Sequence, residues 1–137
     1  MFAHELAFAA LLCVSTAALG QSGLALDWQW KRSHQCSTTS PALTVTGIPA
    51  GTASLAVTMT DLDVPGYDHG GGTVSHAGGA SAIIAEGALK NYRGPCPPNF
   101  TSFGHDYQFM VRALAADGKT VLATASRKKT FSASSVK

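Results

Sequence analysis

Charge is scarce in this sequence: Asp, Glu, Lys and Arg together make up 13% of its residues. A disordered chain needs high net charge and few apolar residues, so disorder is excluded. No basic patch interleaved with aromatic residues occurs, and the one cationic run, Arg127-Lys128-Lys129, reads as a solvated edge. Nucleic acid is therefore not an expected partner. A Gly-x-Ser-x-Gly nucleophile elbow is missing, which with the short length rules out an esterase despite the stretch His69-Gly70-Gly71-Gly72. Metal-ligand motifs of fixed spacing are missing too, and an EF-hand loop would need a ligand where Pro65 stands. After residue 20 no helical period of 3.6 is sustained, and no apolar run is long enough to span a bilayer.

What is present is apolar and regular. With 45% hydrophobic residues in 137 positions, the chain can bury the core of one domain. Leu6 to Leu19 is an apolar run ending at Ala18-Leu19-Gly20, whose small residues suit signal-peptidase cleavage before Gln21. Its weakness is an n-region without Lys or Arg. Residues 1–20 are expected to be a secretory signal peptide rather than a buried helix, and residues 21–137 a single domain, secreted or periplasmic. Loss of Glu5 leaves the mature chain slightly more basic than the +2 of the whole. Export also leaves two cysteines, Cys36 and Cys96, where disulfides persist. They are expected to pair, the alternative being two buried thiols.

Alternation at every second position dominates the rest. Leu24, Leu26, Trp28 and Trp30 share one face of a strand, and Ala42 to Thr46 and Ser54 to Thr60 read as the next two. Thr73 to His76 makes a brief strand, whereas Ala82 to Leu89 fits either strand or helix. Asn91 to Asn99 holds three prolines within four positions and is expected to be a stiff, irregular loop. Tyr107, Phe109, Val111 and Ala113 alternate along the strongest strand, and Asp117-Gly118 turns it back into Thr120 to Ala125. The fold class is thus mainly β, a sandwich or barrel with Gly/Pro-rich loops and little helix.

One stretch concentrates chemistry. Asp61, Asp63, Asp68 and His69 follow the third strand directly, and acid and base groups crowded at a strand end suit a binding or catalytic pocket. A solvated turn in which Asp, Gly and Pro only shape the backbone is the plainer reading. Two imidazoles, the Tyr107 hydroxyl and loop amides could donate to an oxyanion, while a carboxylate orients a histidine or keeps it charged.

Five segments occur in an order that resembles a known family. Ser40-Pro41-Ala42-Leu43, Gly47 to Thr52, Asp61-Leu62-Asp63-Val64-Pro65, Gly94-Pro95-Cys96-Pro97-Pro98 and Gly104-His105-Asp106-Tyr107 are similar to the phosphatidylethanolamine-binding protein, or Raf kinase inhibitor-like, family. The likeness runs from about Cys36 to Phe131 and is strongest with the bacterial YbhB/YbcL-like branch. It implies a β-sandwich with a pocket at the sheet ends for phosphate, a phospholipid headgroup such as phosphoethanolamine, or acetate. The ligand-binding residues it implies are Asp61, Asp63, His69, Gly94, Pro95, His105 and Tyr107, with His76 a rival for His69. It implies no enzyme and no cofactor.

The sequence also departs from the family pattern. Leu62 replaces a proline, Gly70 an aromatic residue and Asp106 an arginine, and little remains after Phe131 for a C-terminal helix. Without the aromatic ring the pocket is expected to be more open, and strand alternation is expected to turn Asp106 away from it. Two alternatives stand beside anion binding. One is a protein-interaction module that inhibits a protease or kinase, and the other is a metal held by Asp61, Asp63, Asp68, His69 and His105. The oligomeric state, monomer or dimer, is open.

Overall fold

In the computed structural model, described over residues 23–137, short alternating segments pair into eight strands. In chain order they are β1 (Ala25–Asp27), β2 (Leu43–Thr46), β3 (Ser54–Asp61), β4 (Gly70–Ser75), β5 (Ser81–Ile84), β6 (Asn91–Tyr92), β7 (His105–Leu114) and β8 (Val121–Phe131). A single 3-10 turn, Arg32–His34, follows β1. All pairings are antiparallel. One sheet has the order β1-β2-β5 and the other β6-β4-β3-β7-β8. The predicted export segment lies outside the described residues, and among those described no helix is long and apolar enough to cross a membrane.

The core forms where the alternating faces meet. Leu26, Leu43 and Val45 from the smaller sheet and Val57, Tyr107, Phe109 and Val111 from the larger are all buried in one cluster. Trp28 packs edge-on against Phe109 with ring centroids 4.9 Å apart, and Trp30 meets Phe131 at 5.3 Å. Such pairs contribute about 0.5–1.5 kcal/mol each beyond the area they bury. Tyr107 and Phe131 are buried beside them, so one end of this aromatic core adjoins the candidate site.

Five local expectations need correction. The alternation of β1 continues through Trp30, yet only Ala25–Asp27 pair with β2. Ala82 to Leu89 divides into β5 and a turn. Asn91–Tyr92 is a short strand on β4, not part of the irregular loop. The glycines after His69 are also strand, because β4 lies so close to its neighbours that a Cβ on Gly71 would stand 1.8 Å from the Val57 carbonyl oxygen. Only glycine tolerates that approach.

The fifth concerns β8, which runs six residues beyond Ala125 and takes the cationic run with it. Lys129 reaches Asp27 of the other sheet at 2.6 Å and Arg127 approaches it at 3.7 Å. The Lys129 hydrogen bond holds the Asp27 carboxyl below its ordinary range. Lys129 also donates to the Trp28 carbonyl and lies over the Trp28 ring. The run is therefore partly a clasp between sheet edges.

Candidate functional site

Asp61 ends β3 opposite Tyr107 of β7, and this register brings the acidic stretch to the Gly-His-Asp-Tyr segment. Oδ1 of Asp61 accepts the amides of Asp63 at 2.9 Å and Val64 at 3.1 Å, turning the chain sharply away from the sheet. Its Oδ2 accepts Nδ1–H of His105 at 2.7 Å. Burial raises the Asp61 pKa, but the hydrogen bonds from His105 and the two amides outweigh it and leave the carboxyl below its ordinary value. Asp63 Oδ2 accepts the Asp106 amide at 2.8 Å, and the Leu62 amide donates to the Asp106 carbonyl. The loop is thereby stitched to the start of β7.

His69 enters from the edge before β4. Its Nδ1 donates to the Arg93 carbonyl at 2.7 Å, and the Arg93 amide returns a bond to the His69 carbonyl. A carbonyl only accepts, so the proton on Nδ1 is assigned and Nε2 is left for other partners. The ring is buried, edge-on to Tyr107 at 5.4 Å and beneath Tyr67 at 4.6 Å. Burial first, then the Asp61 charge, pushes the Tyr107 phenol well above its ordinary value, while a hydrogen bond from the Cys96 backbone pulls the other way. Tyr107 stays a neutral hydroxyl.

Asp61, His69, His105 and Tyr107 thus line one pocket of about 320 Å³, together with Val64, Tyr67, Cys96 and Pro98. Asp63 stands just outside, bonded to the backbone of β7. Gly94 and Pro95 do not line it. They are buried behind the wall, where the Gly94 amide donates to Ser37 at 2.7 Å and the Pro95 carbonyl accepts from Cys36 at 2.8 Å. A Cβ on Gly94 would lie 2.3 Å from the Ser37 oxygen. Their role is to seat the loop, and its next residues, Cys96 and Pro98, face the cavity. His76 lies elsewhere, with Nε2 donating to the Gly79 carbonyl.

Two of the departures resolve physically. Asp106 does point away from the cavity, its carboxylate accepting Thr130 Oγ1. The loss of the aromatic residue at Gly70 does not leave His69 uncovered, because Tyr67, two residues before it, supplies a ring from the other direction.

Ligand atoms of Asp61, Asp63 and His105 lie within 4.8 Å of one another, the arrangement a cation would need. Two of the three are already engaged with each other across a proton, and Asp63 with an amide. Asp68 is committed to the Gly70 amide.

Cys36 and Cys96 form a disulfide across 60 residues, with Cα atoms 4.5 Å apart. The bridge fastens the pocket wall to the segment after β1. Replacing both cysteines by serine is expected to lower unfolding stability by about 2–4 kcal/mol, read by denaturant titration. A change below about 1 kcal/mol would show that the backbone bonds at Gly94 and Pro95 hold the wall alone.

A family model for phosphatidylethanolamine-binding proteins matches residues 18–80. Over that segment the chain resembles the family. The matched segment contains Asp61, Asp63 and His69, and the phosphatidylethanolamine-binding fold brings Cys96, His105 and Tyr107 to them. The crystal structure of YbcL from E. coli, described as a new member of the mammalian PEBP family, aligns with a TM-score of 0.58 at 24% identity. The alignment covers 80% of this chain and 98% of YbcL. No curated protein matches the chain.

Proposed function

We propose that this protein is an exported binding protein, not an enzyme, that takes a small oxyanion or a phospholipid headgroup such as phosphoethanolamine at the strand-end pocket. One observation carries the reading: Asp61, His69, His105 and Tyr107 converge on one pocket, with both imidazoles tied at Nδ1 by 2.7 Å bonds. Tying Nδ1 leaves Nε2 of each ring as the atom with which it can meet a ligand. Asp61 fixes the His105 ring through Nδ1–H, so Nε2 is the ring atom that meets an oxyanion. Among the lining residues none is an activated nucleophile, since Cys96 is in the disulfide.

Calorimetric titration with phosphate and phosphoethanolamine tests the reading. His105→Ala is expected to weaken binding roughly 10–100-fold, the equivalent of one charge-assisted hydrogen bond. His76→Ala, outside the pocket, is expected to leave it unchanged. Equal losses in the two variants would sink the proposal. Export is supported by the leader-like residues 1–20 and by the disulfide, and N-terminal sequencing of secreted protein should begin at Gln21.

A further inference from the structure

The pocket is built in two parts that differ in chemistry. Its floor is polar, formed by Asp61, His69, His105 and Tyr107, and its rim is carbon, formed by Val64, Tyr67 and Pro98. Val64 and Tyr67 remain 47% and 50% exposed beside a buried polar floor. Apolar surface left open against a polar cleft marks a place where a ligand completes the burial.

The volume points the same way. A bare phosphate has five heavy atoms, and at a water molecule's share of about 30 Å³ each they fill about 150 Å³ at most. About half of the 320 Å³ is left over. No carboxylate stands on the rim to pair with a cationic substituent: Asp61 turns its oxygens to His105 and two amides, and Asp63 and Asp68 do not line the pocket. Tyr67 instead meets His69 with the ring planes tilted by 54° and is half exposed.

We infer that the ligand is an oxyanion bearing a flat apolar substituent, with Tyr67 as the specificity-determining residue that receives it. The inference rests on oxyanion binding at the floor. Nε2 of each histidine meets the head, accepting from a protonated oxygen of the oxyanion where Nδ1 alone carries the ring proton, and the substituent packs on Tyr67 between Val64 and Pro98. Offset stacking on an aromatic face supplies the discrimination, and Val64 and Pro98, both stiff side chains, limit its thickness.

The test compares phenyl phosphate, inorganic phosphate and phosphoethanolamine by calorimetry on the purified protein. Phenyl phosphate is expected to bind about tenfold tighter than either of the others. Tyr67→Ala should remove that preference and leave inorganic phosphate within about threefold of the parent, whereas Tyr67→Phe should keep the preference. An unchanged melting temperature in both variants shows that the pocket is intact. Equal affinity for phenyl and inorganic phosphate, or tighter binding of phosphoethanolamine, overturns the inference while leaving oxyanion binding in place. Failure of all three to bind overturns both.

Discussion

Gly70→Ala is expected to cost about 3 kcal/mol or more of stability and to lower the melting temperature by about 10 °C. Gly70 has φ +63, and a Cβ built on it would stand 1.9 Å from the Asn91 carbonyl oxygen. The left-handed backbone alone costs about 1–2 kcal/mol for a residue with a Cβ. The overlap adds to this, because the obstructing atom is backbone in the paired strand β6 and cannot rotate aside. Relief requires moving β6 outward. That motion carries buried Tyr92 with it and shifts Arg93, whose carbonyl holds His69 Nδ1. Ligand affinity is therefore expected to fall with stability. Gly66→Ala provides the comparison, since nothing lies within 4 Å of its Cβ position and its φ is not positive. Comparable stability in the two variants would refute the packing argument.

That glycine also shows where the sequence was legible and where it was not. Period-two alternation located the core, and Tyr107, Phe109, Val111 and Ala113 are each buried along β7. It succeeded because one face of each strand must leave water, which writes the requirement into every second residue. Glycine carries no such unambiguous message. A triple glycine serves a turn or a strand squeezed between two backbones, and only the pairing of β4 with β3 and β6 distinguishes the two. The acid-imidazole cluster was readable for a related reason: Asp61 and His105 flank strand ends that antiparallel pairing brings together. The direction of irregular loops was not readable. Gly94 and Pro95 were expected at the ligand and stand behind it, because the bonds to Ser37 and Cys36 that turn them inward come from a distant segment.

Asp61→Asn is expected to lower stability at neutral pH by about 2 kcal/mol, and Asp61→Ala by about 3–5 kcal/mol. The difference lies in the bonds lost. Asparagine still offers an oxygen to the Asp63 and Val64 amides, whereas alanine leaves both amides and the His105 ring without their acceptor. In asparagine the second position is an NH2 facing Nδ1–H of His105, so two donors oppose each other until the ring changes tautomer. The sign of the pH dependence follows from the depressed carboxyl. Folding favours the ionised form, so the stabilisation is present above the ordinary carboxylate pKa of about 3.9 and is lost as pH falls through the lower folded value. The gap between parent and Asp61→Asn should be constant above about pH 5 and shrink below about pH 4. For ligand binding, two effects of Asp61 compete. Its charge, on the pocket lining, repels an oxyanion, whereas its Oδ2 holds Nδ1–H of His105 and so aims Nε2 of the ring at the ligand. Losing the acceptor at Oδ2 frees the His105 ring to turn away, and that loss is expected to outweigh the relief of a repulsion that water and salt screen in an open pocket. Asp61→Asn should thus weaken phosphate binding roughly tenfold despite removing a negative charge. Tighter binding in that variant would mean that repulsion from the carboxylate wins.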